Sequence, residues 1–167
     1  VFAGNAYVQL PITTDYSSAK LFLSNINTDI VPVQGTAIGA AIDLAAKSFT
    51  PETETSKAII VITDGENHQD DAVAAARVAH EKGITIHTIG MGLEQGAPIP
   101  EKGNPGQCMK DGSGNVVVSK LDEQTLQEIA KAGEGMYVRA SNTDVGLSRL
   151  LDEVGKMEKS ILEEKVY

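Results

Sequence analysis

The chain has 167 residues, 41% of them apolar and 22% charged, which suits one folded domain with a real core and excludes global disorder. Fourteen basic residues against 23 acidic ones give a net charge of −9, which repels nucleic acid and anionic lipid, and no basic patch is visible. A single cysteine, Cys108, excludes an intrachain disulfide and a Cys-based zinc cage, and no apolar run approaches the ~20 residues that cross a bilayer.

The first residue is not Met, and Val1-Phe2-Ala3-Gly4 reads as the end of a strand already under way, so a piece of a longer chain is expected. Residues 1–3 and 7–12 read as two short strands joined through Gly4-Asn5, the second at an edge because of Pro11. Thr14 or Asp15 can cap a helix over 16–26. A loop at 27–35 leads through Gln34-Gly35-Thr36 into a helix whose Ile38, Ala41, Ile42, Ala45 and Phe49 share one face. Pro51 ends it. Lys57–Thr63 is apolar without alternation, as in a parallel strand covered on both faces.

Asp70 and Asp71 open an alanine-rich helix that Gly83 closes, and Ile84–Gly90 is a second unbroken apolar strand. Strand, helix, strand at this spacing is a βαβ unit. Residues 91–120 are rich in Gly and Pro and end in QCMK-DGSGN-VVVSK, an expected hairpin with an exposed tip. Asp122 caps a helix that ends at Gly133, Met136–Arg139 is a short strand, and a last helix starts near Thr143. The whole is an α/β domain with a doubly wound, mostly parallel sheet. It covers 1–155, carries a hairpin insertion at about 97–120, and leads into a helical tail at 156–167.

Open α/β sheets bind ligands at the carboxyl ends of their strands. Asp64 lies there, and Thr36 lies at a helix start with unpaired backbone amides. A carboxylate and a hydroxyl meeting over a sheet edge suit a hard cation such as Mg²⁺, Mn²⁺ or Ca²⁺. Asp-Gly after a strand is also a common turn, and Gly-Thr a common helix start, so spacing alone leaves both readings open.

The stretches Q-G-T-A-I-G-A-A-I at 34–42 and I-I-V-I-T-D-G-E-N at 59–67 resemble two of the three loops of the von Willebrand factor A (VWA) domain. In that family these loops build the metal-ion-dependent adhesion site, MIDAS. The 28 positions from Thr36 to Asp64 fit, and V-F-A-G-N-A-Y-V-Q-L-P-I-T-T-D resembles the strands that precede them. G-A-P-I-P-E, K-D-G-S-G-N-V-V-V-S-K-L-D-E-Q-T-L-Q-E-I-A and G-E-G-M-Y-V-R-A-S are similar to Bat-type aerotolerance proteins of bacteria.

The resemblance implies a Rossmann-like VWA fold and a non-enzymatic protein-binding module. Thr36 would hold the metal directly or through water, and Asp64 through water and hydrogen bonds. Gln34, Gly35, Gly65, Glu66, Asn67 and His68 would form the partner-binding rim. The partner's acidic group would complete the cation's shell, and other components of a membrane complex are the expected partners. Anchoring in the bacterial inner membrane would come from flanking spans outside a soluble segment, with the domain in the periplasm.

The family's first loop, Asp-x-Ser-x-Ser, is absent, and with it the strand at the centre of the sheet and a helix, ~30 or more residues for such a unit. Weak or absent cation binding by these residues alone is therefore expected, and a strand-exchanged oligomer is worth testing. Asp111-Gly-Ser113-Gly-Asn115 mimics that loop but lies in the hairpin and reads as a turn. His87 reads as packed or hydrogen-bonded within a strand, and Glu66 as a base beside a metal-bound water or a loop acid. A metal-dependent phosphoryl-transfer enzyme, or a scaffold with a lapsed metal site, are the alternatives. The first lacks a phosphate loop and a basic clamp.

Overall fold

The computed structural model describes residues 1–50, 55–67, 69–101, 103–141 and 146–164. In chain order the helices are α1 (Tyr16–Ser24), α2 (Ile38–Lys47), α3 (Ala72–Glu81), α4 (Glu123–Ala132) and α5 (Leu147–Glu164). The strands are β1 (Lys57–Thr63), β2 (Ile84–Gly90), β3 (Ala97–Pro98), β4 (Pro100–Glu101), β5 (Asn104–Cys108), β6 (Val118–Ser119) and β7 (Glu134–Arg139). Among the described residues the main sheet has three strands in the order β1-β2-β7, all parallel.

The apolar runs Lys57–Thr63 and Ile84–Gly90 become strands with the bounds read from sequence. Ile59, Val61, Ile84 and Ile86 bury one sheet face against Ile38 and Ile42 of α2, Ala72, Ala76 and Ala79 of α3, and Ile129 of α4. The alanines let α3 lie close to the sheet. On the other face Ile89 and Val138 pack with Leu150 of α5. Thr88 is fully buried on β2, and its hydroxyl donates to the Leu126 carbonyl at 2.9 Å, tying strand to helix without an orphan polar atom.

The helix caps follow from short polar side chains. Asp15 accepts from the Ser17 and Ser18 amides, Asp71 from Ala74, and Asp122 from Thr125. No residue of α1 is buried, and Tyr16, Leu21 and Leu23 are exposed.

Four expectations change. Residues 1–3 and 7–12 are not strands and make only one bridge, Phe2 with Ala6. Val1 and Tyr7 exchange two backbone hydrogen bonds, at 2.9 and 3.1 Å, across the Gly4-Asn5 turn, but the pairing goes no further and the Ala3 carbonyl accepts from Ala37 instead. An extended segment becomes a strand only when a neighbour takes its ladder bonds. β1 is covered fully on one face only, because Ile62 is 53% exposed and β2 is its sole ladder partner among the described residues. β7 begins at Glu134, two residues earlier than read. The insertion holds the expected hairpin, whose arms meet at the Lys110–Val116 bridge and through the Val117 amide's bond to the Met109 carbonyl, and adds two small antiparallel ladders, β3–β6 and β4–β5. Its tip is the expected turn: Asp111 Oδ1 accepts from the Ser113 and Asn115 amides at 2.8 and 2.9 Å. Thr143 lies outside the described residues, and α5 runs unbroken across 155–156.

β7 carries a bulge against β2. Ile86 faces Glu134 and Thr88 faces Tyr137, so Gly135 and Met136 together oppose His87. The Met136 amide donates to His87 Nδ1 at 3.1 Å. His87 is 2% exposed and supplies the acceptor that the bulge needs, as the packed-histidine reading expects.

Burial pushes the imidazole below its ordinary range, and Glu153 on α5 acts weakly in the opposite sense. The folded protein therefore keeps His87 neutral where the unfolded chain, with a histidine near 6.5, takes up a proton. Below that pH the unfolded state binds more protons and stability falls. Urea unfolding should show a decline from pH 7.5 to 5.5, at most about 1.4 kcal/mol per pH unit from this group. His87→Gln, which keeps an acceptor without the titration, should flatten it.

Candidate functional site

The carboxyl ends of β1, β2 and β7 point the same way, and Asp64 is the first residue beyond β1. Helix α2 begins at the same rim. Its N-cap, Ala37, offers no side-chain acceptor, yet the exposed amides of its first turn are satisfied from another loop. Asp70 spans that gap: Oδ1 accepts from Gly39 N at 2.9 Å and Oδ2 from Ala40 N at 2.8 Å. The glycine leaves room for this carboxylate, because a Cβ at position 39 would stand 2.9 Å from the Asp70 carboxyl carbon and would push it aside. The sequence reading gave both aspartates to α3, but only Asp71 caps it. A second contact lies alongside, where the Gln69 side chain packs on the backbone of Gly35.

These links bring the 34–36 loop against the 64–70 loop. Gly35, Thr36, Thr63 and Asp64 line one groove of about 630 Å³ that continues along the free edge of β1 past Phe2, Ile42 and Val61. Thr36 and Asp64 are each half-buried. Thr36 and Asp64 both line this groove.

The Asp64 carboxylate is already partly engaged. Oδ2 accepts from the Ser119 hydroxyl at 2.7 Å. Oδ1 lies 3.3 Å from the Glu66 amide and 3.4 Å from the Thr63 hydroxyl, both donors. Ser119 was not singled out from sequence, since 55 positions separate it from Asp64.

The rim residues divide. Gln34 and Gly35 are exposed. Gly65, expected on the rim, is buried against Asp122 and Leu126. Glu66 is not a free acid, because its Oε1 accepts from Lys120 N at 2.8 Å. Asn67 is half-buried: its Nδ2 donates to the Asp70 carbonyl at 2.8 Å, and its buried Oδ1 has no hydrogen-bond partner among the described residues. His68 lies outside the described residues.

Beyond the rim, Arg139 at the end of β7 is paired with Glu94 at 2.6 Å and Glu123 at 3.4 Å. Burial raises the Tyr137 phenol, helped by its 2.8 Å hydrogen bond to Glu123. Arg139 is outnumbered by the two carboxylates it pairs with, so this cluster carries no spare positive charge.

Thr36 and Asp64 fit a hard divalent cation as a partial ligand set of oxygen donors. No group of three or more His, Cys, Asp or Glu suited to a metal occurs among the described residues. Mg²⁺ keeps several waters, so two protein oxygens leave positions for an incoming carboxylate. Among the described residues no helix is long and apolar enough to cross a membrane.

The family model for the von Willebrand factor type A domain matches residues 1–153. A UPF0353 protein of Nocardia farcinica is 32% identical over 161 residues, which cover 86% of this chain and 45% of that relative, so the chain spans less than half its length. The crystal structure of an aerotolerance-related membrane protein from Bacteroides fragilis superposes with a TM-score of 0.88. It is 51% identical over 93% of this chain and 77% of its own. That of the conserved hypothetical protein BatB from Bacteroides thetaiotaomicron gives 0.86 at the same identity and coverage.

Proposed function

This chain belongs to the von Willebrand factor type A domain family, and from that premise we propose that it is the cation-dependent protein-binding module of a Bat-type membrane protein. A divalent cation, with Mg²⁺ the leading choice over Mn²⁺ or Ca²⁺, sits where Thr36 and Asp64 face the common groove. When bound, it supplies a Lewis-acidic position for an acidic group of a protein partner. Thr36 offers its hydroxyl oxygen. Asp64 acts mainly through water, since protein donors already occupy part of its carboxylate. Gln34 and Gly35 form the exposed part of the partner rim. Glu66 and Asn67 serve behind it as loop supports, and His68 completes the stretch.

The observation that carries this reading is the pair of cross-loop links, Asp70 to the α2 amides and Gln69 onto Gly35, which draw the two family loops to one cleft. Flanking segments are proposed to hold the domain at the bacterial inner membrane on its periplasmic side, where other members of a membrane complex are its partners. Enzymatic turnover has no part in the proposal.

The test uses the full-length protein in membranes. Capture of its protein partner should require a divalent cation, vanish with chelator and return with Mg²⁺. Asp64→Ala should abolish that capture, and Thr36→Ala should weaken it. Cation-independent capture by Asp64→Ala would remove the mechanism. Residues 1–167 alone, with two oxygen donors, should bind Mg²⁺ more weakly than micromolar by isothermal titration.

A further inference from the structure

The insertion between β2 and α4 returns to the domain at the Asp64 loop. Within four residues it makes three contacts there. The Ser119 hydroxyl donates to Asp64 Oδ2 at 2.7 Å, the Lys120 amide to Glu66 Oε1 at 2.8 Å, and the Asp122 amide to the Asp64 carbonyl at 2.8 Å. Ser119 stands at the base of the insertion, paired with Ala97 in the β3–β6 ladder. Its position is therefore set from the insertion side and its hydroxyl from the rim side.

Only one of these contacts touches the oxygens that would face a cation. The Asp64 backbone is already held by Asp122, so the Ser119 bond is not needed to keep the loop in place. Its direct effect is on the rotation of the carboxylate group. With Oδ2 fixed by Ser119 and Oδ1 near the Glu66 amide, the plane of the carboxylate has one preferred setting. Partners of this kind, which orient a metal-binding group without binding metal themselves, typically change metal affinity 10- to 100-fold when removed.

We propose that Ser119 is a positioning residue for the Asp64 carboxylate, and that through it the 97–119 insertion and the cation rim form one coupled unit. This inference rests on the cation reading of the rim. The insertion is then no passive decoration. Cation binding at Asp64 stabilises its base, and by reciprocity the state of the insertion alters cation affinity by the same factor.

The test measures Mn²⁺ binding to the full-length protein by electron paramagnetic resonance, well below the melting temperature. Ser119→Ala should weaken binding about 10-fold. Ser119→Thr, which restores the hydroxyl, should return most of it. A bond that served only folding would lower the melting temperature and leave the affinity of the folded protein unchanged. Hydrogen exchange supplies the second readout: Mn²⁺ should slow exchange at amides 97–119 in the wild type and not in Asp64→Ala.

The outcomes separate two failures. Loss of Mn²⁺ binding in Asp64→Ala with wild-type affinity in Ser119→Ala overturns the role of Ser119 and leaves the rim reading standing. Equal binding by wild type and Asp64→Ala removes the rim reading, and the Ser119 proposal with it. Unchanged protection at 97–119 while Mn²⁺ binds normally overturns the coupling. If Ser119→Ala does not fold, Ser119→Cys carries the comparison with Ser119→Thr. Its thiol is a weak donor, and wild-type affinity there counts against the proposal.

Discussion

Gly135→Ala should lower the free energy of unfolding by about 3 kcal/mol or more, among the larger effects a single methyl can have. A Cβ at position 135 would run into the Ile86 carbonyl oxygen and stand 2.6 Å from the Ile86 carbonyl carbon. Both are backbone atoms of the central strand, so no side-chain rotation relieves the clash. Relief requires β7 to move off β2, and that movement also breaks the Met136 amide's bond to His87. A buried amide left unpaired adds about 1–3 kcal/mol. Urea unfolding followed by circular dichroism measures the loss. A variant within about 0.5 kcal/mol of wild type would show that the bulge tolerates a side chain. Gly133→Ala is not a neutral control, because a Cβ there also meets Ile86.

Asp70→Ala should cost about 2 kcal/mol, at the upper end for loss of a helix N-terminal acceptor. One carboxylate satisfies two amides of α2, whose own N-cap residue satisfies none by its side chain. Asp70→Asn retains one acceptor oxygen and loses the charge, so its cost should fall near half. The effect should reach beyond stability. Asp70's carboxylate binds α2 amides rather than the proposed cation ligands, yet its removal loosens the loop of Thr36 from the loop of Asp64. Cation-dependent partner capture by the full-length protein should therefore weaken with Asp70→Ala even where the variant remains fully folded. Full capture by such a variant would show that the rim does not depend on this tie.

The same residue marks the boundary of what sequence can supply. Lys57–Thr63 and Ile84–Gly90 were legible because unbroken apolar β-formers bounded by polar turns have few other solutions. Asp122 and Gly133 announced α4 because capping is a local chemistry. Asp70 beside Asp71 looked like a second acid in the same first turn, and nothing local shows that its partner amides lie 31 and 30 positions upstream. Gly39, within the first turn of a helix that would prefer alanine, was the one available hint of a close approach. Ser119 gave no hint, because a serine ending an exposed hairpin is ordinary until the fold sets it beside Asp64.

Residues 1–12 show the opposite case. The Gly4-Asn5 turn was legible and Val1 pairs with Tyr7 across it, but a turn signal does not supply the further ladder bonds that a strand needs. Thr36 and Asp64 were singled out through the family resemblance and the rule about strand ends, and both line one groove. His87 was read as a packed histidine. The bulge that needs its Nδ1 falls on Gly135 and Met136, at the junction between the helix read to end at Gly133 and the strand read from Met136.

The Asp70 bridge also decides how the domain would carry mechanical load. A pull delivered at Thr36 enters α2, which is continuous with that loop, and passes through two charge-assisted bonds into the segment that follows β1. Tension is thereby divided between the helix and the central sheet instead of falling wholly on the backbone bonds that tie Val33 and Ala37 to residues 3 and 4. The two bonds run to neighbouring amides and are strained together, so they should yield as a pair, giving the joint a single rupture step.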